Sequence, residues 1–281
     1  MMFRKIAIVG VGLIGGSIGM ACHKKKIAKQ VVGVGRRRSS INKALRCKAI
    51  DQGTLNLKQG ISQSDLIIVA TPVNIVLKKL KECVKNANSK AIIIDVTSIK
   101  EKIVKQADKI VKNKKNISFI GTHPMAGSEE SGVMVARPNL FSNSICIITP
   151  SKGTNKIALM KIKRFWKALG ANTVIMSASK HDLAVANISH LPHLLAYGLC
   201  ACVPSKDLIL AGGGFKDLTR IAKSDPAMWG EIFIQNKTNI LKVKKVFDKS
   251  LKLLESCVAK NKKKNLLKNL SITKRKRDSI G

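Results

Sequence analysis

Short apolar runs rich in β-branched residues alternate with amphipathic segments through the first part of the chain. Continuous apolar runs separated by helical segments are typical of parallel strands that are covered on both faces. Strands are predicted at residues 5–10, 31–35, 66–71, 91–96 and 118–123, with extensions of the sheet at 144–150 and 172–177. Helices are predicted between them at residues 14–25, 39–49, 73–85, 99–113 and 155–169. The pattern indicates an α/β fold.

This alternation stops near Ser179, after which helical periodicity continues and no convincing strand remains. One helix is predicted to begin at the capping-box-like SKHD (179–182) and to run through the apolar segment that follows. A second helix is predicted over 224–256, where Asp225 can act as the N-cap and Pro226 can occupy the first turn. The basic tail beyond it is predicted to fray.

The second half of the chain carries more apolar surface than one small helical layer can bury. On the helix predicted over 224–256, apolar residues recur on one face: Met228, Trp229, Ile232, Phe233, Ile240, Val243, Phe247, Leu251 and Leu254. This stripe is interpreted as core or as the seat of a partner helix. We therefore expect an N-terminal parallel-sheet domain at 1–177 and an all-helical C-terminal domain at 178–281 that forms a homodimer.

The charge of the chain is strongly positive, with 52 Lys and Arg against 16 Asp and Glu and a formal net charge of +36. Such a balance can mark a protein that binds nucleic acid or an anionic membrane. Here the lysines are spread over nearly every predicted helix, and aromatic residues make up only 4% of the chain. Stacking platforms for single strands are therefore scarce, and no specific nucleic-acid partner is expected.

Seven scattered cysteines contain no C-x-x-C pair, so neither a zinc ribbon nor a redox pair is indicated, and no metal site is predicted. Reduced cysteines in apolar runs fit a cytoplasmic protein. The N-terminus superficially resembles a signal peptide, but its glycine rhythm has another explanation, given below. No uninterrupted apolar run approaches the ~18–20 residues that a membrane span needs, so no membrane partner is expected.

A glycine-rich turn, GVGLIGGS at residues 10–17, follows the first predicted strand and opens the first predicted helix. Gly10, Gly12 and Gly15 form the G-x-G-x-x-G spacing, which lets a backbone turn tightly and approach a pyrophosphate at a helix N-terminus. With a strand before it, a helix after it and a second strand at the expected distance, the motif indicates a Rossmann-type dinucleotide-binding domain. Further cofactor contacts are expected from Leu13, Ile14, Thr71 and Pro72.

The end of the second predicted strand lacks the acid that usually binds the ribose 2′-hydroxyl of NAD. Gly35 stands there, followed by Arg36, Arg37 and Arg38. A carboxylate would repel a 2′-phosphate, whereas guanidinium groups would accept it. The sequence therefore predicts that NADP is used or at least tolerated alongside NAD, with contacts from Arg36 and Arg37. The alternative is that these arginines are solvated charges in a very basic protein.

Three clusters of polar residues are candidates for chemistry. Ser98 in DVTSIK and His123 in GTHP both follow strands of the predicted sheet, and ligands of open α/β sheets bind at that edge. The third cluster lies in the helical half and contains His190, His193 and Arg220. A bidentate arginine beside a dinucleotide cleft suits a carboxylate substrate. A neutral histidine is the natural general base near pH 7, with a pKa expected not far from 6.5.

These motifs carry a resemblance to the prephenate/arogenate (cyclohexadienyl) dehydrogenase family. The resemblance covers roughly residues 5–240 and comprises, in order, GVGLIGGS, ATPV, DVTSIK, GTHPMAGSE, SHLPH and GGGFKDLTRIAKSDPAMW. It implies oxidative decarboxylation of prephenate or arogenate in tyrosine biosynthesis, with hydride transfer to NAD(P). A dimer through the helical half is also implied.

By the same resemblance, His123 takes the proton of the reacting hydroxyl, and Ser98 helps to orient His123 and the nicotinamide. Arg220 would bind a substrate carboxylate. The pocket would be lined by His193, Ser128, Gly213 and Trp229. For His190, the interpretation is a satisfied helix histidine.

The chain departs from the family pattern at Thr97, where the family usually has glycine, and at Gly35. Two other classes remain open. One is a hydroxyacid-type dehydrogenase with the same nucleotide domain, whose catalytic-lysine motif does not match GGGFKDLTRIAKSDP. The other is a non-catalytic, basic nucleotide- or nucleic-acid-binding protein, which would not need Ser98, His123 and Arg220 together.

Overall fold

The computed structural model describes residues 1–112, 114, 116–128 and 130–280. Within these residues eight strands form one sheet: β1 (Phe3–Val9), β2 (Ala28–Val34), β3 (Gln52–Thr54), β4 (Leu66–Val69), β5 (Ile92–Asp95), β6 (Ser118–Pro124), β7 (Ile145–Thr149) and β8 (Asn172–Ile175). Their order across the sheet is β3-β2-β1-β4-β5-β6-β7-β8. The chain reverses its direction of travel across the sheet between β1 and β4, which is where an open α/β sheet forms a ligand crevice.

Six of the seven strand pairings in this described sheet are parallel, and β6 pairs with β7 in the antiparallel direction. The parallel sheet predicted from the sequence is therefore confirmed, with this one antiparallel pairing as an exception. The connection from β6 to β7, residues 125–144, begins just after His123. Its described residues contain a 3₁₀ turn, Val133–Val135, and no α-helix, and antiparallel neighbours need no crossover helix. His123 lies opposite Ile147 in this pairing.

Helices cover both faces of the sheet: α1 (Leu13–Lys24), α2 (Arg38–Arg46), α3 (Leu57–Ile61), α4 (Val73–Asn86), α5 (Glu101–Val111) and α6 (Lys156–Ala168). Successive residues of β1 point to opposite faces, so Ile6 and Ile8 join one buried cluster while Ala7 and Val9 join the other. The first cluster is packed by α1, α2 and α6, and the second by α4 and α5. This double layer explains why the strands are apolar throughout.

The rest of the chain is helical: α7 (Ala178–Val185), α8 (Leu191–Cys202), α9 (Gly213–Thr219), α10 (Pro226–Gln235), α11 (Lys237–Ala259) and α12 (Lys263–Asp278). Asp225 caps α10 as expected, accepting hydrogen bonds from the backbone of Ala227 and Met228, with Pro226 at its first position. The N-cap of α7 is Ser177 and not Ser179 of SKHD, because the Ser177 hydroxyl accepts a hydrogen bond from the backbone N–H of Lys180.

Several elements differ from the sequence prediction. The short β3 and α3 were not predicted, and the helix predicted over 224–256 is interrupted at Asn236, a buried residue with polar contacts on both sides. The tail that was expected to fray forms α12, although no described residue of α12 is buried. The predicted helix at 99–113 is observed as α5, and Asn113 lies outside the described residues.

A π-helical turn, Ala186–His190, joins α7 to α8, so that Ala178–Cys202 forms one continuous helical segment of 25 residues. Its most apolar 18-residue window has a mean hydropathy of 1.2, and by length and composition this one segment of the described chain could cross a membrane. The sequence prediction overlooked this length because polar residues interrupt the apolar run. Only 28% of that window is buried within a single chain.

Candidate active site

The glycine-rich turn lies in the crevice between β1 and β4. Gly10 has a φ of +104°, and a Cβ added there would lie 2.3 Å from the backbone oxygen of Ala70. A Cβ on Gly15 would lie 2.1 Å from the backbone oxygen of Gly10, whereas one on Gly12 would meet nothing within 4 Å. Gly10 therefore lets the turn pack against the end of β4, and Gly15 lets α1 pack against the turn itself. Gly12 leaves the space in front of the N-terminus of α1 open.

The residues around this space fit a dinucleotide. Gly12 is the N-cap of α1 and offers no side chain, so the first amide groups of the helix remain available to a pyrophosphate. The Thr71 hydroxyl, at the end of β4 and beside Gly10, is buried without a hydrogen-bond partner in the described structure. Leu13 and Ile14 are half-buried, and Pro72 is exposed as the N-cap of α4.

Beyond β2, Arg36 and Arg37 are exposed, and Arg37 is the N-cap of α2. The first turn of α2 contains no acidic residue. Gly35 faces Ile41, because a Cβ added at Gly35 would lie 2.9 Å from Ile41 Cδ1. This end of the crevice therefore has positive charge and no carboxylate.

His123 lies at the carboxyl end of β6, and Ser98 lies in the half-buried turn between β5 and α5. The parallel pairing of Asp95 with Gly121 brings these two strand ends together at one edge of the sheet. His123 is buried, with 9% of its surface exposed. Among the described residues, the hydrogen bond on its ring is made by His181 and not by Ser98.

A chain of hydrogen bonds connects His123 to the helical half. Nδ1 of His123 lies 2.8 Å from Nε2 of His181, and Nδ1 of His181 lies 2.7 Å from Oδ1 of Asp182. Asp182 also accepts hydrogen bonds from the backbone N–H groups of Lys100 (2.8 Å) and Glu101 (2.9 Å) at the start of α5. The His123 ring is therefore held between the sheet, α5 and α7.

Burial sets the protonation state of this cluster. Desolvation lowers the pKa of His123 well below its ordinary value of 6.5, and repulsion between its protonated form and His181, Lys100 and His190 lowers it further. The expectation of a pKa close to 6.5 is therefore wrong, because the strand end encloses the ring more fully than a loop position would. Burial also lowers the pKa of His181, against the opposing effect of its hydrogen bond to Asp182. Both rings are neutral at pH 7.

A buried ion pair lies beneath the turn that carries Ser98. The ammonium of Lys100 contacts Oδ2 of Asp95, with the two side chains 0% and 1% exposed. The Lys100 ammonium also donates to Thr97 Oγ1 at 2.9 Å and to the backbone oxygen of Ile99 at 3.1 Å. Burial lowers the pKa of Lys100, and the adjacent Asp95 opposes that shift. The hydroxyl of Thr97, where the family pattern has glycine, also donates to Asp95 and so belongs to this network.

Aromatic and histidine rings form the helical wall of the site. His193 stacks on Trp229 with ring centroids 3.5 Å apart, and its Nδ1 donates to the backbone oxygen of Ser189 at 2.9 Å. His190 packs edge-on against the same indole and is fully buried. Its Nδ1 accepts a hydrogen bond from Asn236, but its Nε2 is buried without a partner in the described structure. The sequence interpretation expected His190 to be fully hydrogen-bonded, and this holds for one ring nitrogen. Burial lowers the pKa of His190 to about 4.

The remaining predicted substrate contacts lie at the exposed side of this wall. Arg220 follows α9 and is exposed. Its charge lowers the pKa of His193, although burial is the larger cause, so the two residues lie near each other. Gly213, at the start of α9, borders open space, and Ser128 is exposed in the loop after β6. Glu129, the last residue of GTHPMAGSE, lies outside the described residues.

The sequence interpretation missed His181, Asp182 and the Lys100–Asp95 pair. SKHD was interpreted only as a helix start. Two of its residues, His181 and Asp182, are buried in the structure. A histidine and an aspartate adjacent to each other, directly before an apolar helical segment, were the available signal.

Two family models cover most of the chain. The model described as the prephenate dehydrogenase nucleotide-binding domain matches residues 18–175. The model described as the prephenate dehydrogenase dimerization domain matches residues 177–272. Together they extend over both the sheet and the helical half.

Individual relatives agree with these matches. The prephenate dehydrogenase of Bacillus subtilis (strain 168) is 34% identical, over 98% of this chain and 76% of its own length. The crystal structure of prephenate dehydrogenase from A. aeolicus in complex with hydroxyphenyl propionate and NAD+ has a TM-score of 0.91 at 34% identity, covering 99% of this chain and 98% of that chain. The Synechocystis arogenate dehydrogenase has a TM-score of 0.84 at 28% identity, covering 99% and 100%. The chain therefore belongs to the prephenate dehydrogenase family.

Proposed function

We propose that this chain is an NAD(P)-dependent dehydrogenase that converts prephenate, arogenate or both by oxidative decarboxylation, in the biosynthesis of tyrosine. The observation that carries the proposal is the placement of His123. It is a buried, neutral histidine at the carboxyl edge of the sheet, beside a turn that fits a dinucleotide and opposite a wall with an exposed arginine. Its relatives include prephenate and arogenate dehydrogenases.

When bound, NAD(P) supplies the acceptor for the hydride that leaves the ring carbon bearing the hydroxyl. His123 accepts the proton of that hydroxyl, so the carbon–oxygen bond can become a carbonyl-like and then a phenolic bond. The bond from the ring to its carboxylate breaks and its electron pair enters the ring as CO₂ leaves, so the ring becomes aromatic with no further oxidant. The phenolate oxygen then takes back the proton held by His123. The protein mainly has to align the substrate and accept one proton. Ser98, in the adjacent turn, is proposed to help orient His123 and the nicotinamide.

The cofactor is held by the crevice between β1 and β4. Gly10, Gly12, Leu13, Ile14 and Gly15 form the pyrophosphate turn. The end of β4 contributes Thr71 and Pro72. Arg36 and Arg37 bind a 2′-phosphate, so NADP is used at least as well as NAD.

The substrate is held by the helical wall. Arg220 pairs with a carboxylate, and its exposed position before binding lets substrate enter from solvent. His193, Trp229, Ser128 and Gly213 line the remaining pocket. The stack of His193 on Trp229 gives this wall a rigid planar surface.

The chain is proposed to act as a cytoplasmic homodimer, without a specific nucleic-acid or membrane partner. The nucleotide-binding domain would comprise 1–177 and the dimerisation domain 178–281. The helical half leaves many large apolar side chains exposed, among them Ile188, Ile209, Leu210, Leu218 and Ile234. A second copy covers this surface, which also accounts for the low burial of the apolar segment Ala178–Cys202.

A steady-state assay of both substrates against both nicotinamides tests the reaction, and His123→Asn tests the residue. Asparagine keeps a hydrogen bond, so the variant should fold and bind nucleotide normally. Its rate should fall by roughly 10²–10⁴-fold, the usual contribution of a positioned base.

For the wild type, kcat/KM should fall with decreasing pH only well below 6.5, because burial keeps His123 neutral to lower pH. This acid limb should vanish in the variant. A variant that keeps both the rate and the acid limb would show that the proton goes elsewhere.

A further inference from the structure

His181 and Asp182 are adjacent residues of α7 that nothing in the proposed function yet uses. Both are buried, and they lie directly behind His123. In a helix with an otherwise apolar face, a buried histidine and a buried carboxylate are costly unless they are fully hydrogen-bonded. Their hydrogen bonds therefore indicate what they contribute.

The direction of each hydrogen bond follows from the donors that surround Asp182. Its carboxylate accepts from the backbone N–H groups of Lys100 and Glu101 and from Nδ1 of His181. An ionised carboxylate can only accept, so Nδ1 of His181 carries the proton. In a neutral His181 ring, Nε2 then has no proton and must itself accept.

The same reasoning determines which nitrogen of His123 carries the proton. Nε2 of His181 lies 2.8 Å from Nδ1 of His123, so Nδ1 of His123 carries the proton and donates it. Nε2 of His123 is left as an unprotonated acceptor. Among the described residues no hydrogen bond engages that atom, and it is not one of the fully buried unpaired atoms. It is thus the ring nitrogen that a substrate hydroxyl can reach.

Other charges around the two rings do not supply a competing acceptor. The Lys100 ammonium is a donor and is already bound to Asp95, Thr97 and the Ile99 backbone. His190 uses its Nδ1 to accept from Asn236. Among the described contacts of the His123 ring nitrogens, the hydrogen bond that Nδ1 donates to His181 alone selects one tautomer.

We propose that His181, oriented by Asp182, is a positioning residue that holds His123 in the tautomer protonated at Nδ1, with Nε2 directed at the substrate hydroxyl. This inference rests on the proposed role of His123 as the base. Asn236 supports the arrangement, because its side chain donates to the backbone oxygen of Asp182 at 2.8 Å. After His123 accepts the substrate proton, the hydrogen bond from Nδ1 to His181 becomes a charge-assisted one and stabilises the imidazolium.

Nitrogen-15 NMR of the full-length wild-type protein, labelled at histidine, reads the tautomer directly. The chain has five histidines, so single-histidine variants can assign the signals. We expect His123 to show a protonated Nδ1 and an unprotonated Nε2 at pH 7, with and without bound nicotinamide. A His123 signal with the proton on Nε2 would overturn the inference, whatever the enzyme's activity.

Two variants separate hydrogen bonding from packing. In His181→Gln the side-chain oxygen can replace Nε2 as an acceptor, so the tautomer should persist and kcat should fall less than about fivefold. In His181→Phe the acceptor is lost, the proton of His123 should redistribute to Nε2, and kcat should fall by about 10²-fold, the scale of a misplaced catalytic group. KM for the nicotinamide should change less than twofold in both variants.

The matched control is His23→Gln, which alters a histidine on α1 that contacts Lys48 and Asp51 away from the site. Equal kcat for His181→Phe and wild type, or equal losses for the Phe and Gln variants, would contradict a positioning role. If His181→Phe does not fold, the tautomer of His123 in the wild type and the kcat of His181→Gln still test the positioning role. A failure of the proposed function would instead appear as full activity in His123→Asn with the expected tautomer in the wild type.

Discussion

The buried Lys100–Asp95 pair offers a sharp test of how the turn carrying Ser98 is held. In Lys100→Met the methylene volume is largely kept, but the ammonium that contacts Asp95 Oδ2 is removed. The other carboxylate oxygen, Oδ1, is already buried without a partner in the described structure. Thr97 alone would then remain to satisfy a carboxylate that is 1% exposed.

The expected loss of unfolding free energy in Lys100→Met depends on whether the unpaired carboxylate stays ionised or takes up a proton. Removing one partner of a buried pair typically costs about 3–5 kcal/mol of unfolding free energy. The variant can limit this cost by taking up a proton. For a carboxyl group with a model-peptide value of about 3.9, protonation at pH 7 costs about 4 kcal/mol. We therefore expect a loss of about 4 kcal/mol at pH 7.

This mechanism also fixes the pH dependence. The folded variant binds one more proton than its unfolded state, so its stability relative to wild type falls as the pH rises above about 4. The difference should shrink by about 1.4 kcal/mol for each pH unit between pH 7 and pH 5. Urea unfolding followed by circular dichroism, at one fixed protein concentration, measures both quantities.

Two further variants serve as controls for Lys100→Met. Lys105→Met removes an exposed lysine of α5 and should change stability by less than about 0.5 kcal/mol. Asp95→Asn combined with Lys100→Met removes both charges and should recover more than half of the loss. A Lys100→Met variant within about 1 kcal/mol of wild type, or a loss independent of pH, would refute the assignment of a buried ionised pair.

Three further predictions concern the cofactor, the substrate and assembly. Arg36→Ala should raise KM for NADP more than KM for NAD, with Arg46→Ala on the far end of α2 as the control. Equal effects on both cofactors in steady-state assays, or strict NAD use by the wild type, would contradict it. Arg220→Ala should raise KM for the substrate by about 10- to 100-fold while nucleotide binding stays near normal, and Lys223→Ala is its control. An unchanged KM would assign Arg220 a structural role. Sedimentation should find a homodimer, and a concentration-independent monomer would refute the assignment of the exposed apolar face.

Much of the sheet domain was predictable because its signals are local. The apolar runs mark the strands, and the glycine spacing marks the turn after β1, so Gly10 and the edge position of His123 follow from order along the chain. The direction of β7 was not predictable, since an apolar strand has the same pattern in either direction.

The polar network behind His123 could not be predicted in the same way. His181 and Asp182 satisfy a helix-start pattern as well as a buried one, and their partners lie 58 and 82 residues away in the chain. Asn236 is one polar residue in a long segment with helical periodicity. Only its tertiary contacts explain the interruption between α10 and α11.

The hydrogen bond between His123 and His181 crosses from the sheet to the helical half of the molecule. The glycine-rich turn is made by the first half alone, but the ring of the proposed base, His123, is hydrogen-bonded to the second half. In the proposed function, cofactor recognition therefore depends on residues of the sheet domain, whereas the tautomer of His123 depends also on its contact with α7. The proposed catalysis therefore requires contact between the two halves of the chain, whereas the proposed nucleotide turn does not.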